Sequence, residues 1–343
     1  MIRTIKQTLR YMLHGEGIGR ATGDIRFRLA SGGALERDLS VIPSETSLAE
    51  RMYLYFLARD LIGSGNILEL GPFLGGTTRA LARGLEHSAI KGRRLVTVDQ
   101  FDNYYDIGEF KKFGISETCD ENNMVKFRTI FDKFHSAESY LPYLDVREVK
   151  VADTLGEITN YAFLKDLDNL QAVFIDGCKS WYSVKDFISN VTSITNCAAY
   201  YLFQDYGRFT CFWIPCFVES FPEHFRFIGS VDSTFVFQQI KPLTAGEISA
   251  VFSDQPEQMD IEEVDKLFER VFAREKDDNR AAGMVTSRIQ AAAFHAYIGD
   301  KEKARVLLDE LSRQDFVRGN LKKRVSEALV SPTYTPSEKI YLK

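Results

Sequence analysis

The 343-residue chain is 45% hydrophobic, which is enough to bury a large core and predicts two domains. Its formal net charge of −5 disfavours a nucleic-acid partner, because domains that bind nucleic acids usually carry a basic face. No apolar run approaches the ~18 residues of a transmembrane helix, so the sequence predicts no membrane span.

The five cysteines are scattered and form no C-x-x-C pair: Cys119, Cys178, Cys197, Cys211 and Cys216. Such a set is typical of reduced thiols in the cytosol and argues against a zinc site. The first residues also lack the apolar stretch and small-residue cleavage site of a signal peptide. Together these features predict a cytoplasmic location.

The N-terminal segment, residues 1–45, is turn-rich and has a basic amphipathic pattern from Met1 to Leu13. We expect this segment to form a lid over the functional site or a homodimer contact. A helix should follow from Leu48 to Leu61, because Ser44 or Thr46 can cap it and apolar residues recur on one of its faces.

The most informative stretch is a glycine-rich turn between a strand and a helix, in the segment NILELGPFLGGTT at residues 66–78. Gly71, Gly75 and Gly76 allow the chain to bend sharply and a ligand to approach the backbone. The following helix start offers unpaired N–H groups to an anion, and Glu69 ends the strand. The segment predicts a ligand-binding loop, although its glycine spacing is not the nicotinamide fingerprint G-x-G-x-x-G.

A second short strand, from Arg94 to Asp99, follows after about 30 residues, as a βαβ unit requires. An acid at this place in a nucleotide-binding sheet accepts hydrogen bonds from ribose hydroxyls, and we predict this role for Asp99. Gln100, Phe101 and Asp102 should then lie near the adenosine.

A third strand, Val146 to Ala152, leads to Asp153. Two alternatives stay open for this acid: it caps a helix that begins near Leu155, or it faces an adenine ring, as the family resemblance described below implies.

The fourth strand, Leu170 to Asp176, and the fifth, Ala198 to Gln204, also end in acids, the latter at Asp205. Ligands of open α/β sheets bind beyond the carboxyl ends of the strands, so Asp176 and Asp205 should point into one crevice. Paired carboxylates there suggest an oxygen-ligand site for Mg²⁺.

These five strand ends, in this order, resemble class I S-adenosylmethionine-dependent methyltransferases, whose first motif is written E/D-x-G-x-G-x-G/T. The phrases Phe174-Ile-Asp-Gly177 and Asp205-Tyr-Gly207 resemble a bacterial branch that methylates sugars and secondary metabolites. The resemblance covers roughly residues 61–239. It implies an α/β fold with a Rossmann-like, seven-stranded, doubly wound sheet that ends in a hairpin of strands six and seven.

The same resemblance implies S-adenosylmethionine as the cofactor and a small-molecule acceptor with a free hydroxyl. The residues that it assigns to the cofactor are Glu69, Gly71, Phe73, Gly75, Gly76, Thr77, Asp99, Gln100, Phe101, Asp153 and Asp176. The candidates for catalysis are Asp176, Lys179 and Asp205, and the two acids are also the candidate Mg²⁺ ligands. The branch commonly has Asp and His where this chain has Cys178 and Lys179, so the base and the metal stay open.

Two aromatic stretches accompany these motifs. The insertion between Asp99 and Val146 contains Tyr104, Tyr105 and Phe113, which would either stack on the substrate or pack the insertion onto the sheet. The second stretch, Phe209 to Phe217, is predicted to be a helix that chiefly packs.

Beyond Pro242 the pattern becomes helical, beginning with a capping box from Thr244 to Glu247. We predict an N-terminal segment at 1–45, a methyltransferase domain at 46–242 and a small α-helical C-terminal domain at 243–343 that serves dimerisation or partner binding. His295 lies on an apolar helix face and is interpreted as a core residue.

Two functions from different classes follow. The first is an S-adenosylmethionine-dependent methyltransferase acting on a hydroxyl of a sugar or another small molecule. The second is a catalytically silent methyltransferase fold kept for binding or scaffolding, which the residues at positions 178 and 179 favour. The glycine loop and Asp99 favour retained cofactor binding.

Overall fold

The computed structural model describes residues 33–330, apart from 103–104, 117–118, 121, 209–210 and 278–279. The predicted helix from Met1 to Leu13, together with Tyr104 and Phe209, lies outside the described residues. Within the described ranges, no helix is long and apolar enough to cross a membrane.

Seven strands form one sheet in the order β3-β2-β1-β4-β5-β7-β6. The first five run parallel, whereas β7 is antiparallel to both β5 and β6. This arrangement confirms the expected α/β, Rossmann-like, seven-stranded sheet with its terminal hairpin. The strands are β1 Asn66–Leu70, β2 Leu95–Asp99, β3 Leu144–Glu148, β4 Leu170–Ile175, β5 Thr195–Phe203, β6 Phe225–Val231 and β7 Thr234–Gln239.

Helices connect the strands and continue beyond the sheet. Those before β7 are α1 Ala34–Leu39, α2 Leu48–Phe56, α3 Gly76–His87, α4 Ile107–Lys112, α5 Arg128–His135, α6 Trp181–Val191 and α7 Trp213–Glu219. Those after β7 are α8 Ala245–Val251, α9 Ile261–Asp277, α10 Ala281–Tyr297, α11 Lys301–Ser312 and α12 Asn320–Val330. The helical C-terminal region is therefore present, and the predicted capping box of Thr244 and Glu247 begins α8.

Three local expectations need correction. The cap of α2 is Ser47, which immediately precedes the first helical residue and whose hydroxyl accepts from the Glu50 N–H, whereas the Ser44 and Thr46 hydroxyls bond to each other at 2.7 Å. The third strand ends at Glu148, opposite Asp99, because it has no ladder partner beyond the end of β2. Among the described residues no helix begins near Leu155, so the helix-cap alternative for Asp153 is wrong.

The core on one face of the sheet extends into the C-terminal helices. Phe252, Phe268 and Phe294 belong to the same buried cluster as the sheet residues Phe203 and Phe237. His295 is 1% exposed, in agreement with its interpretation as a core residue. The proposed domain boundary near residue 242 therefore runs through a continuous apolar core and stays a prediction.

The insertion after β2 packs on the glycine-rich loop. We call its rings together with Phe73 the aromatic cluster, whose members are Phe73, Phe101, Phe110, Phe127 and Phe131. Tyr105 and Phe113 also contact the Phe73 ring, at centroid distances of 5.6 and 5.5 Å. Stacking of these rings on a substrate stays a prediction. The stretch from Phe212 to Phe217 is buried and chiefly packs, as expected.

Candidate functional site

The glycine-rich loop lies against the end of the neighbouring strand β4. Gly71 adopts a φ of 82°, and its N–H donates to the Val98 carbonyl at 3.0 Å. A Cβ atom on Gly71 would lie 2.8 Å from the Asp176 carbonyl carbon and 2.9 Å from the Gly177 nitrogen. Only glycine fits this position, because both the left-handed backbone and the close backbone contact exclude a side chain.

A histidine that the sequence did not single out covers the end of this loop. Gly75 has a φ of 92°, and a Cβ atom there would lie 1.9 Å from His135 Nε2. The His135 ring stacks near Phe131, and its Nδ1 bonds to the Tyr140 hydroxyl at 2.8 Å. Burial lowers the pKa of His135 to about 4, so the ring is neutral at pH 7. Nothing local in the sequence links position 135 to position 75.

Glu69 is buried among threonine hydroxyls, whereas the sequence predicts that it contacts a ligand. Its carboxylate is fully buried and accepts hydrogen bonds from the hydroxyls of Thr77 and Thr78, each at 2.6 Å, and from Thr97. Burial raises the pKa of Glu69, and the three hydroxyls oppose the shift. The structure thus places Glu69 beneath the loop, where it and Thr77 anchor the start of α3, and not at a surface that a ligand would contact.

Asp99 lies where β2 ends, as predicted. Its carboxylate accepts the Phe101 N–H at 2.8 Å, and the backbone N–H groups of Phe73 and Gln100 also stabilise it. Burial nevertheless raises the pKa of Asp99 to about 6. Because Phe73 belongs to the glycine-rich loop, this contact joins the ends of β1 and β2.

The neighbours of Asp99 divide between the surface and the core. Gln100 is half-buried, whereas Phe101 is 1% exposed and its ring packs in the aromatic cluster. The Phe101 ring is therefore not available to an adenosine, which corrects that part of the expectation. Asp153 is exposed, and its carbonyl accepts the Ser180 hydroxyl at 2.6 Å, which ties this loop to the start of α6.

The three predicted catalytic residues come together and are called here the carboxylate–lysine group. Lys179 Nζ lies 2.8 Å from Asp176 Oδ1 and 2.6 Å from Asp205 Oδ2. Asp205 has a φ of 65° and is 7% exposed, so its carboxylate is held firmly in the crevice. Burial raises the pKa of Asp176, the Asp205 carboxylate adds to this shift, and the Lys179 ammonium opposes it.

The arrangement gives no support to the Mg²⁺ prediction. The described part of the chain contains no group of three or more His, Cys, Asp or Glu side chains that could hold a metal ion. The Lys179 ammonium instead lies between the two candidate ligands. The neighbouring Tyr206 hydroxyl donates to Glu219 at 2.7 Å and accepts from Arg274 at 2.9 Å.

The described residues form a cavity at this group and a second one next to it. The smaller cavity, of about 360 Å³, is lined by the carboxylate–lysine group together with Gln204 and Arg208. A larger cavity, of about 720 Å³, lies between the sheet and helices α9 and α10. Four residues line both of them: Glu45, Gly207, Ser233 and Arg324. The two spaces are therefore adjacent.

The comparisons with known proteins are of low similarity. No family model and no curated protein matches the chain. The O-methyltransferase NovP is 15% identical over 64% of this chain and 98% of its own, with a TM-score of 0.41. An O-methyltransferase from Bacillus cereus in complex with SAH is 15% identical over 62% of this chain and 90% of its own, with a TM-score of 0.40. The calicheamicin methyltransferase CalS11 is 14% identical over 64% of this chain and 89% of its own, with a TM-score of 0.38.

Because these TM-scores lie below 0.5, the fold assignment rests on strand order and direction. By that criterion the chain has the fold of the class I S-adenosylmethionine-dependent methyltransferases that its motifs resemble.

Proposed function

We propose that the protein is an S-adenosylmethionine-dependent methyltransferase. The observation that carries the proposal is the junction of Gly71, Asp99 and Asp176 at the carboxyl ends of three adjacent strands. Ligands of open α/β sheets bind at this edge. Gly71 lets the loop lie directly against the end of β4, because a Cβ atom there would come within 2.8 Å of the Asp176 backbone.

In this proposal the backbone of the glycine-rich loop and the start of α3 hold the methionine half of the cofactor. Asp99 accepts hydrogen bonds from the ribose hydroxyls, and Gln100 and Asp153 lie at the adenine. When bound, the cofactor supplies an activated methyl group. Glu69 and Thr77 act indirectly, because their mutual hydrogen bond keeps the loop and the helix start in place.

We extend the proposal to methylation of a small-molecule hydroxyl, such as that of a sugar. Asp176 or Asp205 would accept the proton that the hydroxyl loses, and burial already moves the pKa of Asp176 in the direction that suits a base. The Lys179 ammonium would stabilise the developing oxygen charge. Lys179 lies within hydrogen-bond reach of both carboxylates, so a hydroxyl bound there would meet a proton acceptor and a cation together.

The pH dependence of cofactor binding tests the assignment of Asp99. Ribose hydroxyls donate to the ionised carboxylate, so binding favours the deprotonated form. With a pKa of about 6, affinity for S-adenosylhomocysteine should be constant above pH 7 and should fall as the pH drops below 6. One coupled proton limits the slope to about tenfold per pH unit. Titration calorimetry from pH 5 to pH 8 measures this profile.

The matched variant is Asp99→Asn, which keeps the shape of the side chain and loses its titration. It should bind S-adenosylhomocysteine about tenfold more weakly at pH 8, which corresponds to the roughly 1.5 kcal/mol of a hydrogen bond to a charged group. Its affinity should not change between pH 5 and pH 8. Identical pH profiles for the native protein and the variant would contradict the role of Asp99.

A further inference from the structure

The larger cavity has one wall from the sheet region and one from the C-terminal helices. Ser47, Asp232 and Ser233 lie on the first wall, and the start of α10, including Ala282, lies on the second. Its volume of about 720 Å³ is within the usual range for small-molecule sites, roughly 300–1,000 Å³. It adjoins the smaller cavity through Glu45, Gly207, Ser233 and Arg324, so a ligand long enough would occupy both.

The helical wall is fixed to the loop that carries Asp205. Gln290 of α10 is 1% exposed and donates to the carbonyls of Tyr206 and Arg208, at 2.7 and 3.0 Å. Arg274 of α9 donates to the Tyr206 hydroxyl at 2.9 Å. These contacts tie α9 and α10 to the loop that carries Asp205. The larger cavity, which both helices line, therefore adjoins the carboxylate–lysine group directly.

The charges in the larger cavity favour a cation. Glu275 and Arg280 form an ion pair at 3.1 Å and largely neutralise each other. Three other acidic side chains, Glu45, Glu50 and Asp232, line the cavity beside the hydroxyl groups of Ser47 and Ser233. Arg324 supplies one further positive charge. The lining thus carries an excess of negative charge beside several hydroxyl groups.

We propose that the larger cavity binds the methyl acceptor, and that this acceptor is a hydroxylated amine such as an amino sugar. Its ammonium group would lie among Glu45, Glu50 and Asp232, and one of its hydroxyls would reach the carboxylate–lysine group. The inference rests on the proposed methyltransferase function. It gives the C-terminal helices a role in acceptor recognition in place of the dimerisation or partner binding expected from the sequence.

Three disaccharides of nearly equal shape test the charge preference: a β-1,4-linked glucosamine dimer, cellobiose, and cellobiouronic acid. Binding is followed by ligand-observed NMR titration with the protein saturated with S-adenosylhomocysteine. We expect the glucosamine dimer to bind at least tenfold more tightly than cellobiose, and cellobiouronic acid to bind most weakly.

Asp232→Asn should reduce the preference for the amine at least threefold, whereas Glu310→Gln on α11 should leave it unchanged. Asparagine suits position 232, because its φ of 50° is one that asparagine tolerates.

A second pair of variants tests whether the acceptor binds in the larger cavity. Ala282→Trp places an indole in the larger cavity from an exposed helix position. It should weaken the binding of the glucosamine dimer at least tenfold. Ala250→Trp, at an exposed position of α8, is the matched control and should change nothing. Both variants should bind S-adenosylhomocysteine within twofold of the native protein, which also shows that they fold.

Equal affinity for the three sugars, or full binding by Ala282→Trp, would overturn this inference. If S-adenosylhomocysteine binds in either case, the proposed methyltransferase function stands. If S-adenosylhomocysteine does not bind, the proposed function fails, and the inference that the cavity receives a methyl acceptor fails with it.

Discussion

Replacing Gly71 by alanine is expected to lower the free energy of unfolding by about 3 kcal/mol, the sum of a left-handed backbone penalty and an overpacking penalty. The added Cβ would lie 2.8 Å from the backbone of Asp176, and a backbone atom cannot swing away as a flexible side chain could. The loop after β1 and the end of β4 must therefore separate. Urea unfolding measures the loss of stability.

The Gly71→Ala change should also weaken the binding of S-adenosylhomocysteine at least tenfold, because the separated loop no longer presents its backbone beside Asp99. Gly92→Ala is the matched control. Gly92 also has a positive φ, of 80°, but no atom lies within 4 Å of its added Cβ. It should cost only about 1 kcal/mol and leave binding intact. Equal losses in the two variants would show that backbone conformation alone, and not the close contact of the two loops, decides the effect.

Replacing Lys179 by alanine is expected to destabilise the protein by about 2 kcal/mol at pH 8, below the cost of breaking a fully buried ion pair. The expected destabilisation is smaller because the Lys179 and Asp176 side chains are 25% and 22% exposed, so water screens their interaction. Without the ammonium, two carboxylates face each other in the crevice. Thermal and urea unfolding measure the deficit, with Lys165→Ala at an exposed position as the control.

The deficit should depend on pH with a defined sign. Loss of the opposing lysine raises the pKa of Asp176 further above that of the unfolded chain, so the folded variant binds a proton more tightly. The loss of stability in Lys179→Ala is therefore largest above this raised pKa and becomes smaller as the pH falls toward 5. Mg²⁺ should raise the unfolding midpoint of Lys179→Ala and leave that of the native protein unchanged. A Mg²⁺-stabilised native protein would contradict the lysine's place between the carboxylates.

The sequence was most informative where the signal is local. Each βα unit carries an apolar strand that ends in a glycine or an acid, so the sheet, the glycine-rich loop and the position of Asp99 could be predicted from short windows. The end of β3 could not, because it is set by the length of its neighbour β2 and not by its own composition. The role of Glu69 was also hidden, since Thr97, one of its three partners, is 28 residues away.

The assembly of the site depends on contacts between distant segments. Asp176 and Asp205 were expected in one crevice from the strand order, but the Lys179 bridge between them depends on side-chain geometry. His135 reaches Gly75 across 60 residues, and Gln290 reaches Tyr206 across 84. No periodic pattern encodes such pairs. For this reason the sequence predicts a separate C-terminal module, although its residue Gln290 bonds to the loop that carries Asp205.

The most direct test of the proposed function is titration calorimetry of the native protein with S-adenosylmethionine and S-adenosylhomocysteine, with NAD and ATP as controls. We expect one site per chain with micromolar affinity for both cofactor forms, at least a 100-fold preference over NAD and ATP, and loss of binding in Asp99→Ala. An absence of binding by the folded native protein, or equal binding of NAD, would contradict the methyltransferase proposal. The first result would shift the weight to the scaffolding alternative.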